Sequence, residues 1–444
     1  MNPNIFKAYD IRGIYPSDID EDGVYLIGRA AAQYFSLKNV AVGRDARTSS
    51  PSLFKELVRG LTEGGADVVD LGLTSTPMVY FAASRLPVDA VISLTASHNP
   101  PEYNGMKLAL KGAVPVGLGT GLAEIRDLAL RGDFAQSDRI GTVTIEDIKP
   151  DYCSYFASFA ELGDRKFSVV IDSANAMGVL ELPAFDQLAV NISVTNLWND
   201  LEHPFECHEA NPLKEETLDE LRTKVKETHA DLGISFDGDA DRIGFVDEKG
   251  AIIPMDLMTA LIAREILKKK PGATIAYDLR SSRSVREIIE EHGGIAVECP
   301  VGHANIKRIM RETGAVFAGE LSGHYYYEEN STAESGTLTA ILLFNLMAES
   351  DAPVSALVAE THRYFHSGEI NSEVKDKDAI LETLKKTYTG GKLTKIDGIK
   401  VEYPTWWFNV RGSNTEPLLR LTLEAETEEE MEAKKAELLG IIRG

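Results

Sequence analysis

The stretch "NVAVGRDARTSSPSLFKELVRGLTEGGADVVDLG", Asn39 to Gly72, contains a complete strand–helix–strand pattern. Its first and last segments are rich in valine and leucine, as buried strands are. Between them, Ser50 and Pro51 predict the N-cap and first turn of a helix. The apolar residues that follow form one helical stripe: Leu53, Phe54, Leu57, Val58 and Leu61. A pair of glycines then predicts the end of the helix, so the stretch predicts a βαβ unit.

The same plan occurs twice more along the chain. "TIAYDLRSSRSVREIIEEHGGIAVECP", Thr274 to Pro300, follows it closely, and "SVVIDSANAMGVLELPAFDQLAVNISVTN", Ser168 to Asn196, is a weaker copy. In each copy the first strand is predicted to end in an aspartate near a polar or Ser-rich loop, at Asp45, Asp172 or Asp278. The repeat therefore predicts three related α/β domains.

The C-terminal part has a different pattern. "TWWFNVRGSNTEPLLRLTLEAETEEEMEAKKAELLGIIRG", Thr405 to Gly444, predicts two strands around a loop and then a helix with an acidic first turn. The predicted fold class is therefore α/β, with three similar mixed α/β domains and a smaller C-terminal α+β domain. We place these domains at residues 1–146, 147–249, 250–364 and 365–444, with a hinge in the polar stretch 366–378.

Composition narrows the function. The chain has 444 residues, 43% of them hydrophobic, and a formal net charge of −23. That charge disfavours binding to a nucleic-acid backbone. The cysteines Cys153, Cys207 and Cys299 fit neither a disulfide framework nor a zinc pattern and suit a reducing cytosol. The first residues lack the apolar segment of a signal peptide, and the longest apolar stretch, "LTAILLFNLMA", is too short to span a membrane. We expect a cytoplasmic protein with no membrane partner.

The stretch "DGDADR" places Asp237, Asp239 and Asp241 at alternate positions. Three carboxylates so close together repel one another, and a hard divalent cation relieves that repulsion. A solvated acidic turn is one alternative. A calcium-binding EF-hand is another, since Glu248 falls at loop position twelve, but Arg242 stands where glycine is required and the flanks look like strands. A magnesium loop is the favoured interpretation, and because phosphate oxygens commonly complete the coordination of Mg²⁺, it predicts a phosphorylated partner.

The stretch "TASHNPPEYNGMK", Thr95 to Lys107, contains a candidate nucleophile, Ser97. A Ser97–His98 hydrolase pair is disfavoured because neighbouring side chains diverge in helices and strands, and the G-x-S-x-G elbow is missing. Together with a metal loop, Ser97 suits phosphoryl transfer instead, a reaction that also needs cations. For each cation taken alone, a solvated surface charge is the alternative. The candidates are Arg12, Arg44, Lys107, Arg242 and Arg280.

Two further loops offer polar groups. "RGSNTEPLLR", at 411–420, predicts a second anion site, although a plain polar hairpin is an alternative. Its charged and short polar side chains are Arg411, Ser413, Asn414, Thr415 and Arg420. "GELSGH", at 319–324, brings together a carboxylate, a hydroxyl and an imidazole, which suits sugar hydroxyls and proton transfer. A glycine-rich turn is the alternative there.

These motifs resemble those of the α-D-phosphohexomutases, most closely the bacterial phosphomannomutase/phosphoglucomutase enzymes. The resemblance also rests on "YDIRG" at 9–13, "GRD" at 43–45 and "VGHANIK" at 301–307. The motifs occur in the family's order, so the resemblance covers nearly the whole chain. It implies four domains around a central cleft, the first three of them alike.

The resemblance implies an enzyme that interconverts hexose 1-phosphate and hexose 6-phosphate, with mannose or glucose as the sugar. Ser97 would carry a phosphoryl group, and a hexose 1,6-bisphosphate would serve as intermediate and activator. One Mg²⁺ per chain would be held by Asp237, Asp239, Asp241 and an oxygen on phosphorylated Ser97. The partners would be small hexose phosphates, and the chain would be a monomer or a weak dimer.

The resemblance also implies roles for individual residues. The catalytic candidates are Ser97, His98, Lys107, Arg12 and His324. The substrate-binding candidates are Tyr9, Arg242, Arg280, His303, Glu320, Ser322, Arg411, Ser413, Asn414, Thr415 and Arg420. Within that set, Glu320 and Ser322 would bind sugar hydroxyls, and the 411–420 loop would hold the phosphate that is not being transferred.

Three alternatives remain open. A phosphoglucosamine mutase is one, although Leu321 in "GELSGH" is closer to the phosphomannomutase/phosphoglucomutase form than a glutamine would be. A Mg²⁺-dependent sugar-phosphate phosphatase is another, but it would not need a second phosphate loop. A non-catalytic sugar-phosphate sensor is the third, but it would be expected to have lost Ser97 or an aspartate of the metal loop.

The sequence departs from the family pattern at Arg280, which stands where many bacterial members carry lysine.

Overall fold

The structure is a computed structural model that describes residues 1–412 and 418–444. These residues form two compact units. The first unit comprises Met1–Pro254 and Ser322–Leu357, and the second comprises Met255–Leu321 and Val358–Gly444. The predicted loop residues Ser413, Asn414 and Thr415 lie outside the described residues.

The N-terminal part of the first unit is built on a mixed sheet. Its strands are β1 (Ile11–Ile14), β2 (Asn39–Arg44), β3 (Asp67–Leu73), β4 (Ala90–Leu94), β5 (Tyr103–Leu110), β6 (Val114–Pro115) and β7 (Val143–Ile145). Its helices are α1 (Glu21–Tyr34), α2 (Ser50–Glu63), α3 (Thr76–Arg85) and α4 (Leu122–Arg131), with 3₁₀ turns at Pro3–Ile5 and Leu118–Thr120. The strand order is β1-β5-β4-β2-β3-β7, with β6 on β5. Strand β2 pairs in parallel with β3 and β4, whereas β5 runs antiparallel to β4 and β1.

The predicted β2–α2–β3 unit is confirmed. Leu53, Leu57 and Leu61 of the predicted stripe are fully buried in the core, and Phe54 and Val58 pack against it. The predicted N-cap is wrong by one residue. Helix α2 begins at Ser50 after Ser49, and the Ser50 hydroxyl instead donates a hydrogen bond to Asp45 Oδ1 at 2.6 Å. A buried carboxylate is therefore a better partner for this hydroxyl than the amides of the helix terminus.

A second sheet follows in the same unit. Its strands are β8 (Phe167–Asp172), β9 (Ile192–Leu197), β10 (Leu232–Phe236), β11 (Ile243–Asp247) and β12 (Ile252–Ile253). The accompanying helices are α5 (Lys149–Ala157), α6 (Leu182–Asp186) and α7 (Asp219–Thr228), with 3₁₀ turns at Met177–Leu180 and Glu215–Leu218. The order is β12-β11-β10-β8-β9, with β8 parallel to both β9 and β10. The weaker copy is thus also a βαβ unit, although its helix spans little more than one turn.

The third copy belongs to the second unit. Its elements are α8 (Met255–Lys269), β13 (Thr274–Asp278), α9 (Arg283–Glu291), β14 (Ile295–Cys299), α10 (His303–Thr313) and β15 (Phe317–Gly319). Strand β13 pairs in parallel with β14 on one side and β15 on the other. The predicted strand–helix–strand pattern is confirmed, because α9 connects the parallel strands β13 and β14.

The chain then returns to the first unit. The elements here are β16 (Tyr325–Tyr327), a 3₁₀ turn at Glu328–Asn330, β17 (Ala333–Glu334), α11 (Gly336–Ser350) and α12 (Val354–Thr361), the last of which crosses the boundary between the units. Within the described ranges, no single helix is both long enough and apolar enough to span a membrane. Helices α11 and α12, bent by 97° at their junction, pass that test of length and composition only when taken as a pair.

The C-terminal part is an antiparallel sheet with two helices. Its elements are β18 (Phe365–His366), β19 (Ile370–Glu373), α13 (Lys377–Thr387), β20 (Lys392–Thr394), β21 (Ile399–Glu402), β22 (Trp406–Gly412), β23 (Leu418–Ala425) and α14 (Glu428–Arg443). The order is β18-β23-β22-β21-β20, and β19 also pairs with β23. The predicted fold class, α/β with a smaller α+β part at this end, is confirmed. The four domain boundaries stay a prediction.

All three copies share one turn after the first strand. In each, the aspartate accepts a hydrogen bond through Oδ1 from the backbone N–H two residues later. The pairs are Asp45 with Arg47 at 3.1 Å, Asp172 with Ala174 at 2.9 Å, and Asp278 with Arg280 at 2.7 Å. This strand-end turn fixes the direction of the polar loop that follows.

Candidate active site

The loop that carries the three aspartates is the turn of a hairpin. Strand β10 ends at Phe236 and the antiparallel strand β11 begins at Ile243, so strands flank the loop on both sides. Asp237, Asp239 and Asp241 are buried, and one ligand atom of each lies within 4.8 Å of the others. This burial contradicts the solvated acidic turn, and the flanking strands contradict the EF-hand.

Lys107 of β5 neutralises part of this negative charge. Its Nζ donates hydrogen bonds to Asp239 Oδ2 at 2.6 Å and to Asp241 Oδ2 at 2.5 Å. Burial lowers the lysine pKa, but the two carboxylates outweigh burial and the pKa is raised. Burial and its two neighbouring carboxylates raise the pKa of Asp237 to about 8. Burial also raises the pKa of Asp241, but the positive charges of Lys107 and His324 outweigh burial, so the pKa of Asp241 is lowered overall.

The three aspartates fit a metal ion. Asp239 Oδ2 accepts hydrogen bonds from Lys107 and from the Thr76 hydroxyl at 2.6 Å. Asp239 Oδ1 is buried and has no hydrogen-bond partner within the described part of the chain. Buried carboxylate oxygens that point together, one of them without a donor, are suitable ligands for a hard divalent cation. The arrangement could therefore bind a metal ion.

Ser97 lies directly against this loop. It is buried between β4 and β5, and its Oγ donates a hydrogen bond to Asp237 Oδ2 at 3.0 Å. Ser97 Oγ also lies 3.1 Å from His98 Nδ1, so the prediction that neighbouring side chains diverge is wrong here. The reason is that Ser97 has φ +53°, a left-handed conformation that belongs to neither a helix nor a strand. A nucleophile, an imidazole and the aspartates are therefore in contact.

The backbones of the two loops touch at Gly238. A Cβ atom at this position would lie 2.2 Å from the carbonyl oxygen of Ser97 and 3.0 Å from the ring of Phe205. Only glycine allows such an approach without displacing one of the backbones. Gly238 therefore determines how closely the serine can approach the aspartates.

Arg47 anchors the loop between β4 and β5 that carries Ser97, here called the serine loop. Its side chain is fully buried, its Nε donates to Asp45 Oδ2 at 3.0 Å, and its guanidinium lies 4.4 Å from the ring centre of Phe205. The carbonyl oxygens that accept hydrogen bonds from its Nη atoms are those of Ser97 (2.8 Å), Asn99 (2.7 Å), Pro100 (2.6 Å) and Tyr103 (3.1 Å). Sequence reasoning missed Arg47. Its position two residues after the strand-end aspartate, the same as that of Arg280, is the signal that could have found it.

Arg12 of β1 also reaches the serine loop. Its guanidinium donates to Asn99 Oδ1 at 2.5 Å and to Asp10 Oδ2 at 2.6 Å. Burial lowers the pKa of His98, and the positive charges of Arg242 and Arg12 lower it further, so this imidazole is neutral. Tyr9, two residues before β1, is half-buried.

Arg242 and His324 border the aspartates on another side. Arg242 donates its backbone N–H to Asp237 Oδ1 at 3.1 Å, and its Nε lies 3.4 Å from His324 Nε2. His324 Nε2 lies 3.3 Å from Asp241 Oδ1, and its Nδ1 lies 2.9 Å from the hydroxyl of Ser322. Arg44, by contrast, pairs with Asp70 at 3.3 Å and lies over the ring of Phe54.

The second unit contains the remaining described candidates. Arg280 is buried, and its guanidinium pairs with Asp278 at 2.7 Å and with Glu320 at 3.4 Å. Glu320 also accepts the backbone N–H of Gly302 at 3.1 Å, next to His303 at the start of α10. The pKa of Arg280 is raised because its carboxylate neighbours outweigh the effect of burial.

Arg411 and Arg420 share one carboxylate with Arg280. Glu369 accepts hydrogen bonds from Arg411 at 2.8 Å, from Arg420 at 3.1 Å and from Arg280 at 3.1 Å. Burial raises the pKa of Glu369, but the arginines outweigh it and lower the pKa to about 2. Sequence reasoning missed Glu369, one of four acidic residues in the stretch 366–378 that was interpreted as a hinge, because no signal in the pattern distinguishes it from the others.

Comparisons with known proteins match one family along nearly the whole chain. Family models for the phosphoglucomutase/phosphomannomutase α/β/α domains I, II and III match residues 3–136, 150–250 and 254–364, and the model for the C-terminal domain matches residues 369–441. The phosphomannomutase of Methanocaldococcus jannaschii is 40% identical over 445 residues, covering 99% of this chain and 97% of that protein. The phosphomannomutase/phosphoglucomutase of Pseudomonas aeruginosa strain PAO1 is 36% identical, covering 97% and 94%.

A solved structure agrees as well. The crystal structure of a phosphoglucomutase/phosphomannomutase family protein from Burkholderia thailandensis has a TM-score of 0.91 to this chain at 32% identity. The match covers 100% of this chain and 98% of that one. Sequence and fold are therefore shared from end to end, and the chain belongs to the phosphoglucomutase/phosphomannomutase family of α-D-phosphohexomutases.

Proposed function

We propose that this protein interconverts hexose 1-phosphate and hexose 6-phosphate, with Ser97 as the carrier of the phosphoryl group. Membership of the family makes it an enzyme, a phosphohexomutase. The observation that carries the assignment of Ser97 is its buried hydroxyl, 3.0 Å from Asp237 in a cluster of three aspartates. A nucleophile beside a metal site is what phosphoryl transfer requires of a protein.

Asp237, Asp239 and Asp241 would hold one Mg²⁺ together with an oxygen of phosphorylated Ser97. When bound, the ion would offset the negative charge of the phosphoryl group and orient its oxygens. The unpartnered oxygen of Asp239 supports this assignment. Lys107 retains its proton because its pKa is raised, and its charge would stabilise the same carboxylates and the group in transfer.

The first transfer breaks the bond between phosphorus and Ser97 Oγ and forms a bond between phosphorus and a free sugar hydroxyl. The hydroxyl loses its proton to a base, and Ser97 Oγ regains a proton. His98, which touches Ser97 Oγ, and His324, which touches Asp241, are our candidates for these proton transfers, and Arg12 would stabilise charge. In the second transfer, the other phosphoryl group of the hexose 1,6-bisphosphate moves to Ser97 Oγ, and the sugar oxygen that loses it regains a proton.

The remaining candidates would bind the sugar and its second phosphate. Glu320 and Ser322 would bind sugar hydroxyls. The anion site would contain Arg280, Arg411 and Arg420 together with Ser413, Asn414 and Thr415, and other contacts would come from Tyr9, Arg242 and His303. The names of the relatives support mannose and glucose phosphates as substrates. We further propose a hexose 1,6-bisphosphate activator, the four domain boundaries given above, and a monomer or weak dimer in the cytoplasm.

The test is to incubate the purified enzyme and Mg²⁺ separately with mannose 1-phosphate, glucose 1-phosphate and glucosamine 1-phosphate. Phosphorus NMR would follow the 6-phosphate, the bisphosphate and inorganic phosphate over time. We expect 6-phosphate as the main product from the mannose or glucose compound. Inorganic phosphate as the main product would establish a phosphatase instead, and fast turnover of glucosamine phosphate alone would establish a phosphoglucosamine mutase.

A further inference from the structure

Glu369 occupies a special place in the second unit. It lies directly before β19, next to β23, and its carboxylate receives hydrogen bonds from Arg280, Arg411 and Arg420. We call these three residues the arginine cluster. Arg280 and Arg411 are buried, and the side chain of Glu369 is itself only 18% exposed. The roles proposed above for the arginines leave this carboxylate without a function.

The arginine cluster is electrostatically unfavourable by itself. Arg411 of β22 and Arg420 of β23 are direct cross-strand partners in an antiparallel pair, and like charges in that position repel. An arginine side chain does not relieve repulsion by losing its proton. The cluster therefore needs an anion in order to stay assembled.

Other carboxylates satisfy part of this need. Asp278 and Glu320 contact Arg280, and Asp397 lies 3.9 Å from Arg411. Within the described residues, Glu369 is the carboxylate that contacts all three arginines. Its pKa is lowered to about 2 because the arginines outweigh the effect of burial, so Glu369 is ionised at neutral pH.

A carboxylate and a phosphate bind a guanidinium in the same way, because the anionic oxygens of both accept charge-assisted hydrogen bonds from its N–H groups. The donors that Glu369 engages are thus of the kind that a phosphate monoester would use. Its negative charge also opposes any dianion that approaches the same arginines. The carboxylate therefore both assembles the cluster and weakens its attraction for phosphate.

We propose that Glu369 is a positioning residue, a built-in counter-ion that keeps the arginine cluster assembled without substrate and limits its affinity for phosphate. Calling the ligand a substrate phosphate rests on the proposed function, but the binding of an anion does not. For a mutase, the consequence is that the arginine cluster can bind one phosphate of the bisphosphate and still release it. That release is required because the bisphosphate must reorient between the two transfers.

The test compares Glu369→Gln with wild type in thermal unfolding, with inorganic phosphate titrated against sodium chloride of equal ionic strength. Without phosphate, the variant should melt below wild type because the cluster has lost its counter-ion. With phosphate, its melting temperature should rise by more than that of wild type. The apparent Kd for phosphate should fall about tenfold, since one opposing charge is gone. An unchanged or weaker Kd would overturn the proposal.

Two further variants make the test specific. Glu291→Gln removes a glutamate that pairs with Arg363 in the same unit, away from the cluster, and should leave the response to phosphate unchanged. Glu369→Asp keeps the charge and should restore the phosphate affinity of wild type to within about twofold. If Glu369→Gln does not fold, Glu369→Asp still decides, because a large gain in its phosphate affinity would contradict a role for the charge.

Kinetics supply the readout that a merely structural role would not move. For glucose 1-phosphate we expect Glu369→Gln to lower both KM and kcat, because a phosphate held more tightly leaves more slowly. A fall in kcat with a raised KM would reject the counter-ion role. Wild-type protein that binds phosphate as expected but converts no hexose phosphate would reject the proposed function and leave this inference standing.

Discussion

Gly238→Ala should inactivate the enzyme while leaving most of its fold intact. The added Cβ would lie 2.2 Å from the carbonyl oxygen of Ser97, about 0.8 Å inside the 3.0 Å below which Cβ contacts essentially do not occur. The atom that the new Cβ would contact belongs to the backbone and accepts a hydrogen bond from Arg47 at 2.8 Å. The clash therefore cannot be relieved by rotating a flexible side chain. The serine loop and the aspartate loop must move apart instead.

The size of that movement sets the expected loss. A shift of about 1 Å in a reacting group can cost ~100-fold in rate, so we expect kcat to fall by about two orders of magnitude. The free energy of unfolding should fall by about 1–3 kcal/mol, the usual effect of an extra carbon atom in a packed site. The assay is conversion of glucose 1-phosphate to glucose 6-phosphate by a coupled enzyme, with thermal unfolding measured on the same samples.

The matched control is Gly440→Ala in helix α14. Apart from its chain neighbours and the backbone of its own helix, no atom of the described residues lies within 4 Å of a Cβ placed there, so the same substitution should leave activity unchanged and slightly stabilise the helix. If Gly238→Ala kept activity within about twofold of wild type, the close contact between the loops would not control the reaction, and the geometric argument would fail.

Further predictions concern the same sites. Ser97→Ala should lose nearly all turnover but still bind hexose phosphate, and its intact mass should lack any phosphate carried by wild type. EDTA should abolish activity and Mg²⁺ restore it, with Ca²⁺ a poor replacement; full activity in excess chelator would refute the metal site. Arg47→Lys should lower kcat more than it raises KM, because one ammonium cannot satisfy four carbonyl oxygens, and equal effects on both would contradict its positioning role. Glu369 titrates near pH 2 in the fold and near 4.5 when unfolded, so its contribution to stability is present above about pH 4.5 and lost as the pH falls towards 2; acid titration of unfolding should show Glu369→Gln with a shallower loss in that window.

Much of the fold follows from local patterns. The stripe Leu53, Leu57 and Leu61 predicts α2 because helical spacing places these side chains on one face, which the structure buries. The C-terminal stretch likewise predicts β22 and β23 as two strands around a loop, and α14 from its acidic first turn. The exact start of α2 could not be predicted, because Ser50 exchanges a local cap for a buried partner in Asp45 that only the folded structure supplies.

The candidate site was predictable in kind but not in its contacts. The spacing of Asp237, Asp239 and Asp241 indicates a cation site, since proximity in sequence guarantees proximity in space. The contact between Ser97 and His98 depends on a left-handed residue that no periodic pattern reveals. The contacts of Glu369 depend on strands that meet only after folding, so nothing in the sequence distinguishes it from the other acidic residues of that polar stretch.

The strand-end turn separates what a repeated unit must keep from what it can change. All three copies have the aspartate and the hydrogen bond to its Oδ1, which fix the loop. The residue two positions later is then open to divergence, and it is Arg47 in one copy, Ala174 in another and Arg280 in the third. Where alanine occurs, an imidazole from His208 approaches the other aspartate oxygen at 3.0 Å. Because the turn uses the backbone N–H at this position, the side chain there can differ: in one copy it holds the serine loop, and in another it is a cation beside Glu369.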